Sequence, residues 1–167
     1  TFHMLRLLSN RLANVLAGMG IVPGDRVAMV LPAGLEAAVT LLAVTKMGAV
    51  LVPVPPTLGA EPLGWRLADS GARVAVVDPE AAPALDRARH RLNALERVLA
   101  TGGGAAGATD LWAALKGASD AFMPLVTPAD HPAFIFYPEA AMGTPAGVIH
   151  AHRAMAGRAD HAGHGRQ

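Results

Sequence analysis

The sequence predicts a three-layer α/β domain with a mainly parallel sheet of about five strands flanked by helices. Two observations lead to this fold class. Short runs made almost entirely of apolar residues recur along the chain, as in strands that are buried on both faces. Segments with apolar residues three or four positions apart separate these runs, and they are typical of the helices that connect parallel strands.

Five apolar runs are predicted as strands. Each is bounded by glycine, proline or polar residues, which favour turns. The runs cover residues 26–31, 50–54, 73–77, 96–99 and 133–137. Because the order alternates strand and helix, the connections are expected to be crossovers between parallel strands.

The helices are predicted from periodicity and from capping residues. The first has an apolar stripe formed by Leu5, Leu8, Leu12, Val15, Leu16 and Met19. Others are predicted over 35–46, over 61–69, from the Asp-Pro-Glu sequence at 78–80 to about residue 93, and from Thr109 or Asp110 to about residue 116. The segments 101–108 and 118–131 are predicted to be irregular.

Composition and charge exclude several classes of function. Hydrophobic residues make up 52% of the 167 residues, and the formal net charge is +1. This composition fits either an alanine-rich α/β protein or a piece of a larger protein or oligomer that leaves apolar surface uncovered. No basic run typical of nucleic-acid binding is present, so no nucleic-acid partner is predicted. The absence of cysteine excludes disulfides and thiolate metal sites.

Neither a membrane span nor a metal site is predicted. The longest apolar candidate, 37–54, is interrupted by Lys46, Gly48 and Pro53, and no signal peptide is visible, so a cytoplasmic location is expected. Four histidines at 150, 152, 161 and 164 are interpreted as solvated side chains rather than metal ligands, because no carboxylates accompany them. No residue is assigned a catalytic role.

The most informative stretch covers residues 134–153. It is interpreted as a buried strand, a loop of small residues and the start of a helix. That order is the layout of a phosphate-binding loop, in which backbone N–H groups are directed at an anion.

Several phrases elsewhere in the chain, with this loop, carry a family resemblance. They lie at 9–14, 24–28, 31–32, 42–50, 52–53 and 69–72. In this order and spacing they resemble the N-terminal region of AMP-forming acyl-CoA synthetases. These enzymes belong to the adenylate-forming superfamily, with the luciferases and peptide-synthetase adenylation domains. The resemblance covers nearly all of residues 1–155.

The resemblance also assigns residues to the loop. In the family, a strand ending in tyrosine is followed by Thr-Ser-Gly-Ser/Thr-Thr-Gly, one variable residue and Pro-Lys-Gly-Val. By this comparison the residues of an ATP phosphate loop are Tyr137, Gly143, Thr144, Pro145 and Gly147. Val148 continues the match.

The departures from the family pattern fall on the residues that would hold phosphate. They are Pro138, Glu139, Ala140, Ala141, Met142 and, at the lysine position, Ala146. Proline removes an N–H donor, glutamate adds a negative charge, and alanine removes a cation. We therefore interpret the loop as degenerate and expect no tight ATP binding.

The resemblance implies ligation of a carboxylic acid to coenzyme A through an acyl-adenylate, with ATP and Mg²⁺. Residues 1–156 are expected to form an incomplete N-terminal subdomain, inactive by itself, and residues 157–167 a disordered Gly/His-rich tail. The alternative is a non-catalytic module that kept the scaffold and binds itself or a partner. The expected partners are a second copy or a missing complementary segment of the enzyme.

Overall fold

The architecture follows from alternating apolar strands and amphipathic helices. The computed structural model describes residues 1–102, 105–138 and 146–155. Five helices are described: α1 Phe2–Gly18, α2 Leu35–Lys46, α3 Ala60–Ser70, α4 Ala82–Ala88 and α5 Leu111–Gly117. Seven strands are described: β1 Arg26–Val30, β2 Val50–Pro53, β3 Val74–Val77, β4 Arg97–Ala100, β5 Thr109–Asp110, β6 Pro132–Phe136 and β7 Val148–Ala151.

The strands form one sheet in the order β5-β4-β3-β1-β2-β6-β7. All neighbouring pairs are parallel except β6 and β7, which are antiparallel. From β1 the chain passes through α2 to β2 on one side, and then through α3 back across β1 to β3 on the other. The predicted three-layer, mainly parallel α/β fold is confirmed.

Helices cover both faces of the sheet because the strand side chains alternate between the faces. On one face α1, α2 and α5 pack on strand residues such as Val27, Leu51 and Leu99. On the other face α3 and α4 pack on strand residues such as Ala28 and Val52. Each strand is therefore apolar on both sides, which explains the unbroken apolar runs.

The predicted number of strands was too low. Seven strands are described instead of about five, and the two additional ones are β5 and β7. Strand β5 has only two residues, so it has no recognisable alternation. The start of a helix predicted directly after the loop was wrong: β7 comes first, and a single turn at 153–155 follows it. The β-branched pair Val148 and Ile149 suits this pairing with β6.

The fourth predicted helix is shorter than expected. It begins at Ala82 rather than near Pro79, although the Asp78 carboxylate does cap the preceding turn by accepting a hydrogen bond from the Ala81 N–H at 2.9 Å. After Ala88 the chain tightens into a 3-10 turn at Arg89–Arg91. The three residues of this turn are basic, so they have no apolar face to bury against α3.

Candidate functional site

The candidate site is at the end of the β6–β7 hairpin, where the loop leaves and rejoins the sheet. Tyr137 directly follows β6, and Gly147 directly precedes β7. Phe136 and Val148 are paired in the ladder, so the next two residues outward, Tyr137 and Gly147, face each other. The structure thus brings together these two predicted loop residues. The other three, Gly143, Thr144 and Pro145, lie outside the described residues, as do positions 139–142.

Beside Tyr137 a cavity opens at the carboxyl ends of the parallel strands. Its volume is about 310 Å³, and it is lined by Met29, Leu31, Pro53, Val54, Pro55, Phe136 and Tyr137. These residues come from the ends of β1, β2 and β6 and the segments that follow them. In open α/β sheets ligands bind at the carboxyl ends of the strands, so the cavity lies on the side where a ligand is expected.

Three side chains of helix α3 contact the Tyr137 side chain. The Tyr137 hydroxyl donates a hydrogen bond to Oδ2 of Asp69 at 2.7 Å. The Trp65 ring meets the Tyr137 ring edge-on, with 5.6 Å between centroids and an interplanar angle of 83°. The guanidinium carbon of Arg66 lies 5.9 Å from the Tyr137 ring centroid, within the range of a cation–π contact.

Gly147 permits the close approach of the two ends of the loop. A Cβ at this position would lie 2.9 Å from Cγ2 of Ile135 and 3.1 Å from Cε1 and Cζ of Tyr137. Contacts this short are rarely tolerated in packed interiors. Glycine is therefore needed here because the tyrosine ring lies over its Cα.

The electrostatic environment keeps Tyr137 protonated. Burial raises the pKa of the Tyr137 hydroxyl well above its ordinary value, and the hydrogen bond to Asp69 and the charge of that carboxylate raise it further. Arg66 acts weakly in the opposite direction. At neutral pH Tyr137 is thus a hydrogen-bond donor whose proton is directed to Asp69.

The described residues at the two ends of the loop depart from the phosphate-binding pattern at two positions. The Tyr137 hydroxyl is already donated to Asp69, whose carboxylate places a negative charge at the base of the loop. Pro138 has no N–H to offer, and Ala146 presents a methyl group. Among the described residues of the loop, Pro138 therefore lacks the N–H and Ala146 the cationic side chain that such loops use to hold phosphate, and we derive no step through ATP.

Sequence reasoning missed the contribution of α3. Asp69 enters the sequence analysis only through the family phrase at 69–72. The four-residue spacing of Trp65 and Asp69 places them on one helix face, which was the available signal. What they contact depends on which strand lies beside α3, and local pattern does not reveal that.

The histidines at the other end of β7 do not form a metal centre in the residues the structure describes. No group of three potential ligands occurs within residues 1–102, 105–138 and 146–155. His150 packs edge-on against Phe136, and Nε2 of His131 lies 3.0 Å from the Gly48 carbonyl oxygen. His161 and His164 lie outside the described residues. No helix in the described part of the chain is long and apolar enough to cross a bilayer.

Comparison with models of known protein families identifies the family of this chain. The family model described as AMP-binding enzyme matches residues 1–165. The chain belongs to the AMP-binding enzyme family. The resemblance inferred from the sequence is therefore confirmed.

Curated relatives of this AMP-binding chain are much longer than it is. The long-chain-fatty-acid–CoA ligase FadD13 of Mycobacterium tuberculosis is 32% identical over 155 residues, which is 93% of this chain and 30% of the ligase. The benzoate–CoA ligase of Thauera aromatica is 32% identical over 153 residues, which is 91% of this chain and 29% of that ligase. The chain thus spans about 30% of the length of these relatives.

Solved structures share the fold. The N-terminal domain of FACL13 from Mycobacterium tuberculosis, solved with an inhibitor, superposes with a TM-score of 0.83 at 30% identity, covering 93% of this chain and 38% of that one. The anthranilate CoA ligase AuaEII, solved with anthranoyl-AMP, gives a TM-score of 0.88 at 23% identity, covering 92% of this chain and 30% of that one. The second likeness shows the fold alone.

Proposed function

We propose that this chain is the N-terminal part of an AMP-forming carboxylate–CoA ligase-like protein and does not catalyse the ligation by itself. The observation that supports this proposal best is the pairing of Tyr137 with Gly147 at the base of the loop, in a chain of the AMP-binding family that spans about 30% of its ligase relatives. In the proposed reaction class the acid attacks ATP to give an acyl-adenylate and pyrophosphate, and the coenzyme A thiol then displaces AMP.

The lack of independent activity is inferred from the described loop ends. Asp69 presents a negative charge and Ala146 stands at the lysine position of the family, so the anionic tail of a nucleotide would gain less electrostatic stabilisation here than the family pattern provides. ATP, Mg²⁺ and coenzyme A accordingly remain ligands of the proposed complete protein. The acyl substrate is not assigned.

The test is pyrophosphate release from ATP by the purified chain, with acetate, benzoate or a long-chain fatty acid. We expect no release above that seen without a carboxylate. A Gly147→Asp variant purified in the same way is the control. Pyrophosphate released by contaminating enzymes would be equal in the wild-type and variant preparations. Carboxylate-dependent release that this variant abolishes would overturn the proposed inactivity.

A second experiment tests the missing cation directly. Lysine at position 146 would place a positive charge at the loop, so Ala146→Lys is expected to bind ATP several-fold more tightly than the wild type in calorimetry. Ala146→Met is the matched control, with similar bulk and no charge. Equal affinities for the Lys and Met variants would show that this position does not face the nucleotide.

The second candidate function is a non-catalytic module that associates with itself. The specific observation in its favour is the β6–β7 patch, which surrounds the edge strand and which we define as Phe136, Val148 and Met155 on one face of the hairpin and Ile149 on the other. These apolar side chains are 40–64% exposed, and β7 is the last strand of the described sheet. Uncovered apolar surface next to an edge strand favours association.

Sedimentation analysis tests this candidate. The wild-type chain is expected to form dimers or larger species, and Ile149→Lys is expected to shift it to monomer. Val126→Lys is the matched control, because Val126 is 95% exposed but lies outside the patch. A monomeric wild type at high concentration, or equal effects of the two substitutions, would argue against association through this patch.

A further inference from the structure

The hairpin that carries the loop is held to the rest of the sheet by a short backbone ladder. Between β2 and β6 the ladder contains one register pair, Leu51 with Phe134. In the described part of the chain β7 pairs with β6 and with no other strand. The outer end of the hairpin, where the loop begins, is therefore the part with the least backbone support.

Helix α3 supplies a side-chain attachment at this outer end. Trp65, Arg66 and Asp69 all reach Tyr137, and they lie within about one turn of α3. The Asp69–Tyr137 hydrogen bond joins residues 68 positions apart and is the one directional contact among the three. Packing by Trp65 and Arg66 confines the ring, whereas the hydrogen bond fixes where its hydroxyl points.

Fixing the tyrosine ring also fixes the opposite end of the loop. The ring lies over the Cα of Gly147, so closely that a methyl group there would meet Cε1 and Cζ of Tyr137 at 3.1 Å. One side chain thus contacts both ends of the connection between β6 and β7. A change in the position of the ring would change its contact with Gly147.

We propose that Asp69 is a positioning residue of the β6–β7 hairpin, and that through its hydrogen bond to Tyr137 it holds Tyr137 against Gly147, the two residues that flank the loop. Asp69 itself touches no ligand in this proposal. The proposal goes beyond the proposed function, because it requires neither nucleotide nor catalysis.

The chain offers a direct spectroscopic test, because Tyr137 is its only tyrosine. Ultraviolet titration of the tyrosinate therefore reports this residue alone. Asp69→Ala removes the hydrogen-bond acceptor and its charge, so the titration midpoint is expected to fall toward the ordinary tyrosine value of about 10. Asp130→Ala is the matched control, since this exposed carboxylate pairs with Arg153 at the other end of the hairpin. Its midpoint is expected to match the wild type.

Amide hydrogen exchange at neutral pH tests the positioning itself. Asp69→Ala and Tyr137→Phe are each expected to speed exchange at Gly147 and Val148 roughly fivefold, the size expected for one lost hydrogen bond. In the double variant these amides are expected to exchange no faster than in either single variant, because both substitutions remove the same hydrogen bond. Asp130→Ala is expected to leave these two amides unchanged.

Two results would overturn the proposal. One is an unchanged tyrosinate midpoint in Asp69→Ala. The other is exchange at Gly147 and Val148 that does not respond to Tyr137→Phe, a substitution that keeps the ring and its packing. If alkaline unfolding hides the titration, the exchange measurement decides by itself. Neither measurement involves ATP, so the failure of the proposed function would leave both outcomes readable.

Discussion

At the scale of single residues, the contact at the base of the loop does not depend on the residues that depart from the family pattern. Tyr137 and Gly147 match the family pattern and remain in contact. Contact between these two needs only a flat ring over a residue without a side chain, and it demands nothing from the phosphate-binding positions. The geometry of the hairpin can therefore persist beside Pro138, which has no N–H, and beside Ala146, which has no cationic side chain.

His152 provides a residue-scale prediction about pH. Burial lowers the pKa of His152 below its ordinary value, and the neighbouring His131 lowers it further. Nε2 of His152 is buried and has no hydrogen-bond partner among the described residues. Because the unfolded chain takes up this proton more readily than the folded one, the free energy of unfolding should fall as pH drops below about 6.5.

The measurement is urea unfolding at a series of pH values from neutral to mildly acidic. His152→Phe removes the titrating group but keeps a flat ring, so it is expected to lose stability less steeply on acidification than the wild type. His3→Phe, at an exposed position, is the control, and its unfolding free energy should change with pH as in the wild type. If the unfolding free energy depends on pH equally in His152→Phe and in the wild type, His152 does not contribute to the loss of stability in acid.

At the scale of elements, hydrophobic pattern predicted what is buried but not what is paired. The helix over 35–46 agrees in its bounds with α2, because its apolar face and its terminal Lys46 and Gly48 are local signals. Strand β7 was missed because its pairing with β6 depends on the chain turning back after the loop. For the same reason Asp69 was not recognised as a partner of Tyr137. The assignments of all five residues to a phosphate loop, Tyr137, Gly143, Thr144, Pro145 and Gly147, stay predictions.

The contact between α3 and α4 gives an element-scale prediction. A Cβ at Gly64 would lie 2.8 Å from Cβ of Ala88, so the two helices approach through these small residues. Gly64→Ala is expected to destabilise the fold by about 1–2 kcal/mol, since overpacking costs about 1–3 kcal/mol and the better helix propensity of alanine returns up to about 1 kcal/mol.

Chemical denaturation measures this effect, and two variants serve as references. Gly18→Ala adds a methyl group with no atom within 4 Å and should not destabilise. Adding Ala88→Gly to the Gly64→Ala variant restores the space and should recover part of the loss, which appears as a coupling energy. Independent, additive effects of the two substitutions would show that the helices do not meet at this point.

At the scale of the whole molecule, the sheet has two hydrophobic layers that share the same strands. Leu16 of α1 belongs to the layer on one face, and Leu85 of α4 to the layer on the other; both are fully buried. Since each central strand is apolar on both sides, removing either layer would expose the sheet to water. We therefore expect the described domain to unfold as one cooperative unit.

The two tryptophans can test this cooperativity layer by layer. Trp65 lies on α3 and Trp112 on α5, which cover opposite faces. Single Trp→Phe variants leave one probe each, and their fluorescence transitions in urea should coincide. Leu16→Ala and Leu85→Ala should each lower the free energy of unfolding by about 2–5 kcal/mol. Both fluorescence transitions should then shift together to lower urea concentration, and the dependence of the unfolding free energy on urea concentration should be unchanged. A variant that moves only the probe on its own face would show that the two layers unfold separately, and the sheet would then not couple them.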